Sequence, residues 1–189
     1  AGMPGASPVD GWLGVSKVDD GDDVLPRLAL LGQEFGADIE GWPVERVRDV
    51  LKTNHYFHAI HLPGAFHTHP LNYANGLAAA AEQAGARIFE ETAALEIDPA
   101  GVRKRVLTPS ARVRAAHIVL AGNVQIGGLV PHLAETVLAI NSYVAVTAPL
   151  GDRLGEAITW RGAVSDSRCD DHHYRIVDGD RLMWAGATS

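Results

Sequence analysis

The sequence contains one cysteine, Cys169, in 189 residues. A single thiol excludes an internal disulfide framework and a zinc site built on several cysteines. It fits a reducing compartment, and a cytoplasmic location is the expectation. Basic residues are outnumbered, leaving a formal net charge of −7 and no Lys/Arg-rich run. Such a chain has no general attraction for phosphate backbones, so no nucleic-acid partner is expected. No apolar run approaches the ~20 residues that span a bilayer, so no membrane span is expected either. The opening AGMPGASPVDG lacks the basic and apolar segments of a signal peptide. It does not begin with Met and the chain stops abruptly at Ser189, so an internal fragment of a longer chain is expected. Two motifs are also missing: a Gly-x-Gly-x-x-Gly following a strand, and a Gly-x-Ser-x-Gly nucleophile elbow.

What is present is ordinary globular composition, 47% hydrophobic and 21% charged, with length for one large domain or two small lobes. After a Gly/Pro-rich start, Trp12 to Val18 predicts a short strand. Asp19, Asp20, Asp22 and Asp23 place negative charge at the start of the next helix, where the helix dipole favours it. They lack the spaced ligands and closing Glu of a calcium loop. Val24, Leu25, Leu28, Leu31 and Phe35 recur at helical spacing, and Gly36 is a plausible stop. Pro43 to Leu51 predicts a second short helix, with Val44, Val47 and Leu51 on one face.

From Pro70 an Ala-rich helix is expected, with Asn72 as its cap and Ala74, Leu77, Ala78 and Ala81 as a narrow stripe suited to close packing. Gly85 ends it. Strands are then expected over Arg87–Thr92, Ala94–Asp98 and Val102–Thr108. His117–Ala121 reads as a buried parallel strand ending at Gly122 and Asn123, the end at which open α/β sheets bind ligands. Ser142–Ala148, Arg161–Ser165, His173–Val177 and Arg181–Ala185 predict further, antiparallel strands, the last two joined by a hairpin at Asp178-Gly179-Asp180.

Five of the nine histidines lie between Asn54 and Pro70. On a strand, His67 and His69 share a face, a spacing used by metal sites. Yet Pro63 and Gly64 interrupt the segment and no carboxylate lies within it, so scattered structural or surface histidines are the competing reading. His172 and His173 follow Asp170 and Asp171, but adjacent strand residues point to opposite faces. Ser165, Asp166, Ser167 and Cys169 precede His172, but nearness in sequence does not make a triad. No metal site is assigned.

The stretch HPLNYANGLAAAAEQAGARIFEETAALEID, followed by VLTPSARVRAAHIVLAGN, resembles the D-amino-acid-oxidase-like FAD-dependent oxidoreductases, which include glycine, sarcosine and γ-glutamylputrescine oxidases. The γ-glutamylputrescine-type branch looks closest, because His-Pro-Leu-Asn-Tyr-Ala is intact at 69–74. The resemblance implies a mixed α/β fold in which part of a Rossmann-like FAD domain is interleaved with a mostly antiparallel substrate-domain sheet. It places the substrate domain at 1–66 and 138–189 and the FAD domain at 67–137. By position Ala94 matches a residue whose backbone meets the adenine. Ala121 and Gly122 match the turn near the cofactor's phosphate–ribose portion. At Ala94 the family more commonly has Val, and an aromatic residue often stands at the position of Val124. The family's Gly-rich phosphate finger is missing, so this chain alone is expected to bind FAD poorly or not at all. The implied reaction is oxidation of the C–N bond of a small amine or amino acid to an imine. Tyr174 and Arg175 are candidates to meet a substrate carboxylate, Arg175 by a bidentate grip. The competing reading makes Tyr174 a core residue and Arg175 a surface one. A His67/His69 metal-dependent hydrolase or metal-binding protein, and a non-catalytic α/β module, are the alternative functions. The oligomeric state is not legible.

Overall fold

The computed structural model describes residues 3–166 and 172–188. The chain forms two compact units, one of residues 1–79 with 141–189, the other of residues 80–140. It therefore leaves the larger unit and later returns to it. The fold is mixed α/β, with one mixed sheet and a separate antiparallel one.

The larger unit is built on a seven-stranded sheet. Its strands are β1 (Val9–Ser16), β2 (Glu40–Trp42), β3 (His58–His67), β7 (Ser142–Val146), β8 (Ala163–Asp166), β9 (His173–Val177) and β10 (Arg181–Thr188), in the order β2-β3-β1-β8-β9-β10-β7. All neighbours are antiparallel except β1 and β8, which pair in parallel with Leu13 opposite Val164. One face carries Leu13, Val15, Ala59, Val164, Tyr174 and Ile176. It is covered by Val47 and Leu51 of α2 (Val44–Leu51) and by Leu154 of α5 (Arg153–Ala157). Each fully buried Leu or Val contributes about 1.5–3 kcal/mol. Helix α1 (Gly21–Phe35) lies against β2, with Leu25 and Leu28 filling the space a side chain at Gly41 would take. Only Leu28 of its apolar stripe is buried; Phe35 is 77% exposed. Gly36, at φ 64°, ends it as expected.

Strand β3 runs through Pro63 and Gly64 rather than stopping there. The register shifts between Asp10↔Phe66 and Trp12↔Leu62, so the interruption is absorbed as an irregularity opposite Gly11. Helix α3 (Pro70–Gln83) starts at Pro70, which moves the cap from Asn72 to His69. His69 Nδ1 accepts the Asn72 N–H at 3.3 Å, while the Asn72 amide donates to the Gly5 carbonyl at 2.9 Å. The start of the chain is not a loose end: Met3 packs on Gly76 and Ala6 is buried.

The smaller unit holds a three-stranded antiparallel sheet of β4 (Glu96–Asp98), β5 (Lys104–Leu107) and β6 (Arg112–Ala115), then a 3-10 segment (Asn123–Leu129) and α4 (Pro131–Ala134). Two expected strands, Arg87–Thr92 and His117–Ala121, do not form. An interior parallel strand needs a ladder on each side, and no described segment pairs with either. No residue of the α3 Ala stripe is fully buried, so the expected close packing does not occur among the described residues.

Candidate functional site

The second face of the seven-stranded sheet carries the polar chemistry. Trp12, Gly14, Ser165 and His173 lie on it by register. Gly14 leaves the room that the Trp12 ring occupies: a Cβ there would sit 2.7 Å from the indole. The Trp12 N–H then donates to Ser165 Oγ at 2.8 Å, and Ser165 Oγ is 2.7 Å from His173 Nδ1. A tryptophan, a buried serine and an exposed histidine from three adjacent strands thus form one hydrogen-bonded row. Next to it is a pocket of about 440 Å³, walled by Asp20 and Val24 at the start of α1 and by His58 of β3. His58 is 5% exposed, and its Nδ1 makes no hydrogen bond. Asp20 Oδ1 is 3.6 Å away.

Strand alternation separates the two expected substrate residues. Tyr174 is on the core face, 7% exposed, and stacks on Trp184 at 4.5 Å with the rings 2° from parallel. Burial pushes its hydroxyl well above the ordinary tyrosine value, and the neighbouring Tyr56 and Asp166 add to this. Arg175 is on the opposite face with His173. It is half-buried; Nη1 donates to the Thr68 carbonyl at 3.1 Å and Nε is buried without a partner. Desolvation lowers its pKa from the usual arginine value. The two side chains therefore lie on opposite faces of the sheet.

His67 and His69 are engaged in local structure. The His67 Nε2–H donates to the Arg161 carbonyl at 3.1 Å, and His69 caps α3. Burial is the main cause of a lowered His67 pKa; the carbonyl opposes it and nearby Arg175 adds to it. Among the described residues no group of three or more His, Cys, Asp or Glu gathers. Ser165 bonds His173 rather than His172, and Asp166 pairs with Lys17 on the core face, so among the described residues no Ser–His–carboxylate row assembles. Ser167, Cys169, Asp170 and Asp171 lie outside the described residues.

Ala94, Ala121 and Gly122 belong to the smaller unit and are exposed. A Cβ on Gly122 would come within 3.3 Å of Ile126, so the bare backbone is packed closely there, and Asn123 follows with φ 48°. Small, uncovered residues of this kind fit a backbone contact to the adenosine end of FAD. They supply no row of N–H donors for a pyrophosphate. Sequence reasoning missed the row centred on Ser165. Its available signal was the period-2 alternation that puts Trp12 with Gly14 and His173 with Arg175; the cross-strand pairing that joins them is not written in any local motif.

The fold is one shared with solved oxidoreductases. The chain belongs to the FAD dependent oxidoreductase family, whose model matches residues 7–189. It is 33% identical over 136 residues to "Probable oxidoreductase OrdL" of Rhizobium meliloti, covering 72% of this chain and 32% of that protein. It is 32% identical over 125 residues to "Gamma-glutamylputrescine oxidoreductase" of Escherichia coli, covering 64% of this chain and 28% of that protein. Among solved structures, glycine oxidase from Geobacillus kaustophilus superposes with a TM-score of 0.73 at 17% identity, over 97% of this chain and 49% of its own. The chain thus spans about a third of these curated relatives and half of that structure. Among the described residues no helix is long and apolar enough to cross a membrane.

Proposed function

We propose that this chain is part of an FAD-dependent oxidoreductase that oxidises the C–N bond of a small amine or amino acid to an imine. The family match over residues 7–189 carries this reading. The names of the similar proteins, a gamma-glutamylputrescine oxidoreductase and a glycine oxidase, support an amine or amino-acid substrate. Bound FAD supplies the two-electron acceptor for this chemistry. The amine loses a hydride equivalent from carbon and a proton from nitrogen, and water then hydrolyses the imine to a carbonyl compound and a free amine.

The work of this chain is binding and orientation. Residues 80–140 hold the adenosine end of FAD through the backbone at Ala94, Ala121 and Gly122. The larger unit presents its polar face to the substrate. There Arg175, half-desolvated and with Nε unpaired, receives a substrate carboxylate. The Trp12–Ser165–His173 row fixes the His173 ring beside it.

The test is anaerobic mixing of the complete flavoprotein with a panel of primary and secondary amines and amino acids. Bleaching of the flavin band, with formation of a carbonyl product, is expected for at least one class. A flavoprotein that no amine or amino acid reduces would overturn the reading.

A further inference from the structure

We infer that the pocket between the start of α1 and the polar face of the seven-stranded sheet is a binding site for an alkylammonium group. The inference rests on the amine reading above and deepens it by assigning the substrate a cationic end that this pocket holds. Three independent features converge on it.

The first is Asp20. It occupies the N-cap position of α1, where an aspartate ordinarily accepts a backbone N–H, yet it makes no capping side-chain hydrogen bond. Its carboxylate points instead at His58, with Oδ1 3.6 Å from Nδ1, beyond a direct hydrogen bond. The second is His58. A buried imidazole nitrogen without a partner is a costly state, and here it lines a pocket of about 440 Å³. A ligand N–H seated at the corner formed by Asp20 Oδ1 and His58 Nδ1 satisfies both. The third is the lining beyond them: the Trp12 ring, Val24 and Ile60 are apolar surfaces for an alkyl chain, and Ser165 offers a further oxygen.

Charge selects the sign of the ligand. Asp22 and Asp23 stand in the first turn of α1 beside Asp20. Lys17, next in sequence to the lining residue Ser16, is tied to Asp166. Among the described lining residues there is no Lys or Arg to hold an anion, whereas an ammonium brings the two or three donors the corner lacks.

The experiment is calorimetric titration of the full-length protein with n-butylammonium and n-butanol. It needs no turnover, so it is independent of whether amines reduce the flavin, which the bleaching assay reads separately. Butylammonium is expected to bind at least tenfold more tightly than butanol. Asp20 is 46% exposed at its side chain and caps nothing, so Asp20→Asn keeps the fold and is expected to weaken butylammonium at least tenfold while leaving butanol unchanged. Asp20→Glu is expected to recover part of the loss. Equal binding of amine and alcohol, or an unchanged affinity in a folded Asp20→Asn protein, would each overturn the assignment.

Discussion

Trp12 donates its indole N–H to the Ser165 hydroxyl at 2.8 Å, joining residues 153 positions apart. Ser165 in turn meets His173 Nδ1 at 2.7 Å and is 8% exposed. Ser165→Ala removes the shared partner of both and leaves the indole N–H unsatisfied. A loss of about 1–3 kcal/mol in folding stability is expected, read as a lowered urea midpoint at unchanged slope. Ser165→Thr keeps the hydroxyl and is expected to recover most of it. If Ser165→Ala is as stable as the parent, the row is not an energetic unit.

Arg175 gives the sharpest test of the proposed substrate contact. In the complete flavoprotein, Arg175→Gln is expected to raise the KM of a carboxylate-bearing substrate by roughly tenfold to a hundredfold, the worth of a charged hydrogen bond. A simple amine without a carboxylate loses little. Equal losses for both substrates would point to a structural role through the Thr68 carbonyl instead.

The smaller unit offers exposed backbone at Ala94, Ala121 and Gly122 and no Gly-x-Gly-x-x-Gly in its sequence. The 189-residue chain purified alone is therefore expected to be colourless, with no saturable FAD binding at micromolar concentration. A yellow protein with flavin absorbance sinks this prediction.

Glu40 accepts hydrogen bonds from Trp42 Nε1 at 3.0 Å and from His61 Nδ1 at 3.1 Å, and these hold its carboxyl below the ordinary value of 4.5. A depressed folded-state pKa contributes stability that is complete above the unfolded value of 4.5 and is lost as the pH falls through the folded one. Glu40→Gln is thus expected to destabilise at neutral pH and to flatten the acid limb of the stability curve. Denaturation midpoints at about pH 7 and about pH 3.5 check it, and parallel acid limbs for the two proteins would contradict it.

The larger unit was legible in the sequence wherever a segment finds its partners nearby or declares its own ends. The two helices with Gly36 and Pro43 at their boundaries and the hairpin at Asp178-Gly179 follow from local chemistry, with φ of 51° and 84° at the turn. Arg87–Thr92 and His117–Ala121 failed because an apolar run states a preference for a ladder without supplying one. Pro63 misled for a related reason: an irregularity opposite Gly11 accommodates it, and local rules cannot see the opposite strand. In the site, Arg175 was visible as a residue type on a strand. Trp12, His58 and Asp20 were not, because strands far apart in sequence and one helix start bring them together.

The parallel pairing of β1 with β8 has a consequence for assembly of the chain. Trp12 pairs with Ala163, so the centre of the sheet cannot close until the last quarter of these residues has been made. During synthesis β1, β3 and β2 hold an open edge while the whole 80–140 unit emerges. Loop closure grows only slowly with length, about 0.6 kcal/mol per doubling, so the detour costs little at equilibrium. Its cost is time, since non-local pairing is slow and leaves a sticky edge in the interval.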